Sequence, residues 1–195
     1  MPPGLDLYWI PLGAGVGVGA RVVRASGRTY EALAAPVQRR PRCQLYHSAL
    51  VATTDEGEFA IEMTPVPGPA GREERGVVGE GAVGARWAGR LRVFRYEIRR
   101  WRGGVIPDLG FAVASPVRLT DDAEAVAGLL ELVPHVPAPV WGRDELHAGE
   151  MWNSNSVVSW LLVRAGLDAA AGDPPSGGRA PGWDAGVAVA RRAAA

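Results

Sequence analysis

Gln44-Leu45-Tyr46-His47-Ser48-Ala49-Leu50-Val51-Ala52-Thr53, then Thr54-Asp55-Glu56-Gly57, then Glu58-Phe59-Ala60-Ile61-Glu62-Met63: this stretch decides how the chain is organised. Two runs rich in β-formers flank a short polar connection ending in glycine, which predicts an antiparallel hairpin. With residues 54–57 as the loop, Thr53 faces Glu58 and Ala49 faces Glu62, so Glu62 is a diagonal neighbour of His47 on one face. A five-residue loop sends Glu62 to the opposite face.

Upstream, Leu5 to Leu12 reads as a strand that runs into the glycine-rich segment Gly13 to Gly19. The spacing there fits neither a dinucleotide fingerprint nor a P-loop, so it reads as a flexible loop or a closely packed strand. Arg21 to Ala25 and Arg28 to Leu33 around Ser26-Gly27 read as a second hairpin. Downstream, residues 65–89 are rich in Pro, Gly and Arg and are expected to be mostly loop, a candidate lid. Arg90 to Arg100 alternates through Phe94, Tyr96 and Ile98 as a half-buried strand does. Asp121 and Glu124 open a helix to about residue 133, and Pro134 to Pro139 forms an extended connector. Ser156 to Ala165 is apolar nearly all round and is followed by Gly166, which predicts a helix buried at the centre. Residues 172–195 are read as a fraying tail. The expected fold is one α+β domain over residues 1–195, an antiparallel sheet packed on a few helices.

Composition narrows the function classes. All 21 basic residues are arginines and balance 21 acids, and net zero charge argues against broad nucleic-acid binding. The clusters Arg39, Arg40, Arg42 and Arg95, Arg99, Arg100, Arg102 read as solvated faces or as a phosphate patch. Cys43 is the one cysteine, so no internal disulfide forms; it is either an inert thiol or one whose pKa the flanking arginines depress. No signal peptide or apolar run of about 20 residues is visible, and a cytoplasmic protein without a membrane partner is expected. His47, His135 and His147 have no ligand spacing, so neither metal nor cofactor is expected.

Nucleophilic catalysis needs a hydroxyl or thiol beside a base, a group to orient that base, and donors for an oxyanion. Trp152-Asn153-Ser154-Asn155-Ser156 places small polar residues at the entrance of the buried helix, where free N–H groups favour negative charge. Asn and Ser are also the preferred helix caps, so the segment reads either as a site or as a cap. Trp152, Trp141 and Trp87 read as cleft-lining aromatics or as core.

A histidine at the start of a strand, Tyr46-His47-Ser48-Ala49-Leu50-Val51, and much later an Asn-X-Asn segment opening a buried helix, resembles the circularly permuted papain-like fold. That group includes PPPDE peptidases and relatives of lecithin:retinol acyltransferase. The resemblance covers roughly Gln44 to Gly166 and places Ser154 where those proteins have a catalytic cysteine. It implies a hydrolase or acyltransferase acting on a small-molecule or peptide amide or ester. Ser154 would be the nucleophile, His47 the base and Glu62 its orienter, with Asn153 or Asn155 at the oxyanion and Trp152 along the substrate. Because serine replaces cysteine, a catalytically inactive binding domain on the same scaffold stands beside it. The sequence leaves the oligomeric state open.

Overall fold

The structure is a computed structural model that describes residues 1–15, 18–66, 73–169 and 173–192, with side chains of the first long helix from residue 23 onward. It is an α+β domain. Strands β1 (Gly4–Pro11), β2 (Gln44–Thr54), β3 (Gly57–Pro65), β4 (Val77–Ala82), β5 (Arg95–Arg102) and β6 (Val117–Thr120) form an antiparallel sheet in the order β4-β5-β3-β2-β1-β6. A short β7 (Gly178–Arg179) pairs in parallel with Gln44 and Leu45 of β2. Helices are α1 (Val18–Val37), α2 (Ala123–Leu132), α3 (Ser154–Arg164) and α4 (Trp183–Arg192).

The β2–β3 hairpin adopts the register read from the sequence, with Thr53 opposite Glu58; Thr54 also pairs with Gly57, so Asp55 and Glu56 make the turn. Period-two alternation then sorts the sheet into two unlike faces. On the inner face Leu5, Leu7, Trp9, Leu50, Ile61 and Ile98 pack against α2, α3 and α4. Trp9 also lies 5.1 Å from the Trp183 ring. On the outer face, Ile10, Ala49 and Ala60 pack with Ile106 and Leu109 from the loop after β5.

The outer face also buries charge. Glu97 is fully buried, and its carboxylate takes Arg75 Nε at 3.1 Å and Arg99 Nη2 at 2.8 Å. Arg99 Nη1 continues the chain to Glu62 Oε1 at 3.0 Å. Such a chain is tolerable inside a protein because each charge has a bonded partner of opposite sign.

Several sequence expectations are corrected. Arg21 to Leu33 is not a hairpin but the middle of α1. Ser26-Gly27 carries a local turn signal, yet helical spacing aligns buried Gly27, Glu31 and Ala35 on one side of the helix, and packing overrides the signal. A Cβ on Gly27 would lie 2.5 Å from Leu12 Cδ2, so the glycine lets α1 settle on the end of β1. The supposed loop 65–89 contains edge strand β4 and the 3₁₀ turn Glu73–Arg75; residues 67–72 of that candidate lid lie outside the described residues. Residues 86–94 make 3₁₀ turns, so β5 starts at Arg95 instead of Arg90. Asp122 caps α2 through the Glu124 N–H.

The expected tail contributes β7 and α4, and α4 packs on α3; residues 170–172 and 193–195 lie outside the described residues. The close approach rests on Gly186, where a Cβ would stand 2.1 Å from the Ser156 carbonyl oxygen. A methyl group there has to push two backbones apart. Gly186→Ala is expected to lower the unfolding free energy by about 1–3 kcal/mol, read as a shifted urea midpoint.

Candidate functional site

Along β2, the edge opposite β1 pairs with β7 at residues 44 and 45 and with β3 at residues 50 to 54, and no strand among the described residues pairs with residues 46 to 49 on that side. The N-terminus of α3 fills this notch. Asn155, 2% exposed, donates from Nδ2 to the carbonyls of Tyr46 (3.0 Å) and Pro181 (2.9 Å). Its Oδ1 accepts from Ser48 Oγ at 2.9 Å. Tyr46 and Ser48 flank His47, so the helix start is bonded to both neighbours of the candidate base.

Because Ser48 points to α3, alternation turns the His47 side chain to the outer face. There Nε2 meets Asp108 Oδ2 at 2.9 Å. Asp108 precedes the short 3₁₀ turn Leu109–Phe111, whose Leu109 packs with Ile10 and Ala49. Burial pushes the Asp108 carboxyl up, but the hydrogen bond and charge of His47 more than offset it and hold the pKa below the ordinary aspartate value. With Nε2 committed to the carboxylate, Nδ1 is the nitrogen left for proton transfer.

Glu62 does lie on the face of His47, as the β2–β3 register requires, but its described bond goes to Arg99. Burial raises its pKa, Arg99 opposes the rise, and the nearby Asp108 adds to it. The carboxylate that touches His47 is Asp108, not Glu62.

At the helix start Asn153 is the cap. Its Oδ1 accepts from the N–H groups of Asn155 (2.9 Å) and Ser156 (3.4 Å), while Ser156 Oγ accepts from the Asn153 N–H at 3.1 Å. Asn153 Nδ2 donates to the Pro181 carbonyl at 2.8 Å, and Ser156 Oγ donates to the Gly182 carbonyl at 2.7 Å. The side chains of Asn153 and Asn155 are therefore occupied in holding the helix and are not free oxyanion donors. The Ser154 N–H has no partner among the described residues, and neither does its hydroxyl. Ser154 is 5% exposed, and no hydrogen bond joins it to His47 among the described residues. Trp152 is 1% exposed within the inner core, so it is packing and not a substrate wall.

The surroundings of Cys43 disfavour its thiolate. Burial raises its thiol pKa, and the Glu31 carboxylate 3.4 Å away raises it further, while Arg40 only partly opposes them. No group of three metal-ligating side chains occurs among the described residues. No helix there is long and apolar enough to cross a membrane. Set against family models, curated proteins and solved structures, the chain matches none.

Two outcomes are expected. Asn155→Asp keeps the acceptor but sets a carboxylate against two carbonyls, and should cost about 2–4 kcal/mol of stability in chemical denaturation. Iodoacetamide at pH 8 should modify Cys43 more slowly than a free cysteine, and Glu31→Gln should speed that reaction, as followed by mass spectrometry.

Proposed function

We propose that the protein is a serine-dependent acyl hydrolase or acyltransferase, with Ser154 as nucleophile, His47 as base and then acid, and Asp108 as the group that orients His47. One observation carries the reading: His47 is held through Nε2 by Asp108 while Asn155, next to Ser154, is bonded to the residues on either side of His47.

In this mechanism His47 Nδ1 takes the Ser154 hydroxyl proton as Oγ bonds to the carbonyl carbon of an amide or ester. The carbonyl electron pair moves to oxygen, and that oxyanion sits at the unpartnered Ser154 N–H at the positive end of α3. Collapse of the intermediate breaks the bond to the amine or alcohol, which leaves with the proton from His47. Water, deprotonated by His47, then attacks the acyl-enzyme and releases the acid; another acceptor in its place gives acyl transfer. Asp108 stays ionised throughout, as its lowered pKa favours, and keeps the ring oriented and its charge compensated. The two side chains lie on opposite faces of β2, so the mechanism requires the edge at residues 46 to 49 to shift and bring His47 round to Ser154 when the acyl donor seats. A small-molecule or peptide substrate in a reducing cytoplasm suits a chain whose one cysteine is a free thiol.

The second reading, a papain-like binding domain without catalysis, is favoured by the low exposure of Ser154 and by the turn of His47 to the sheet face away from α3, with no bond between the two among the described residues. Labelling with a fluorophosphonate separates the two. Modification is expected at Ser154, absent in His47→Ala, and slowed by about 100-fold or more in Asp108→Asn, which keeps the shape but removes the charge. Complete inertness of the folded wild-type protein, or labelling that survives His47→Ala, overturns the catalytic reading.

A further inference from the structure

Beyond Leu45, on the same face of β2 as His47, lies a separate cleft of about 560 Å³ between α1 and the ends of β1 and β2. One stripe of α1 lines it, namely Arg24, Gly27, Arg28 and Glu31, at the i, i+3, i+4, i+7 spacing of a single helix face. Arg42 stands on the opposite wall, and Leu12 and Leu45 supply apolar surface. The volume suits a small molecule.

The charge in this cleft is unbalanced. Its one carboxylate, Glu31, is already spent: Oε2 takes Arg40 Nη2 at 2.8 Å, and Oε1 takes Arg40 Nη1 and, at 2.9 Å, the Cys43 N–H. The hydrogen bond from Arg40 is the chief reason its pKa is lowered to about 2, so Glu31 and Arg40 form a closed pair. Arg24 is tethered by two hydrogen bonds to the carbonyl of Gly13, which fixes its position without neutralising it. Arg28 and Arg42 have no hydrogen bond or ion pair among the described residues. Three arginines that no carboxylate among the described residues neutralises thus line one concavity in a chain of net zero charge. Guanidinium forks match phosphate and carboxylate oxygens in pairs. Leu12 and Leu45 offer a surface for a carbon skeleton.

We infer that this cleft binds a small organic anion carrying two or more negative charges on phosphate or carboxylate oxygens. The inference does not depend on acyl-transfer chemistry at Ser154. Titration calorimetry at low ionic strength tests it with two separate probes, inorganic pyrophosphate and citrate. The wild-type protein is expected to bind at least one of them. In the double variant Arg28→Ala, Arg42→Ala, affinity is expected to fall by tenfold or more. Both side chains are exposed, so the variant should keep the wild-type unfolding midpoint. In a control variant, Arg90→Ala with Arg102→Ala, the same charge is lost from exposed positions outside the cleft, and affinity should stay within about twofold. Binding of pyrophosphate alone assigns a phosphate ligand, of citrate alone a polycarboxylate, and of both a site selecting on charge. If neither anion binds, or if both double variants weaken binding equally, the cleft is not an anion site.

Discussion

The buried amide of Asn155 joins the three parts of the molecule that have to meet. It donates to β2 at Tyr46, accepts from β2 at Ser48, and donates to the Pro181 carbonyl that leads into α4. A polar side chain 2% exposed is stable there because its donors and acceptor are matched. The geometry is demanding, since the partners are backbone and side-chain groups on a strand edge that pairs with no strand among the described residues at positions 46 to 49. Fixing that edge fixes the start of α3, and with it the position of Ser154 beside the strand that carries His47.

The two faces of the sheet are stabilised by different physics. Beneath α2, α3 and α4 the contacts are almost wholly apolar, as the run Leu5, Leu7, Trp9 against Val157, Leu161 and Leu162 shows. On the other face, Glu62, Arg99, Glu97 and Arg75 form a chain of buried ion pairs. His47 and Asp108 form a second, half-exposed pair on that same side. A strand slip of one residue would drive Arg99 and Glu97 into the apolar side and leave their partners unpaired, so this polar chain reinforces the register of β3 and β5.

How much of this was legible depends on how local the signal is. The β2–β3 hairpin follows from two β-rich runs around the short polar connection 54–57, and α3 from an apolar run preceded by Asn and Ser, all within a few residues. The reading of α1 failed because Ser26-Gly27 is a strong local turn signal, while the reason for a helix is contact with Leu12 and Leu45 from distant segments. Strand β4 and helix α4 sit in Gly- and Pro-rich sequence and owe their order to pairing with β5 and packing on α3. In the site, His47 and Ser154 stood out by local context, whereas Asp108 lies 61 residues from His47 in a loop with no distinguishing neighbours. Glu62 was placed on the right face, but period-two reasoning along one hairpin could not show that Arg99 arrives from β5 to occupy it.

The contacts around α3 also impose an order on how the molecule is made. Apart from β2, the long-range acceptors that hold the start of this helix are the carbonyls of Pro181, Gly182 and Trp183, which receive Asn153, Asn155, Ser156 and Ser159. A chain emerging from the ribosome presents these four side chains well before their acceptors exist. During that interval Ser156 and Ser159 have only the local carbonyls of Met151 and Ser156, and the amides of Asn153 and Asn155 lack the Pro181 carbonyl. The full set of bonds around the start of α3 therefore forms only after translation has passed Trp183. The candidate site is thus completed by the last described helix, α4, and the segment leading into it.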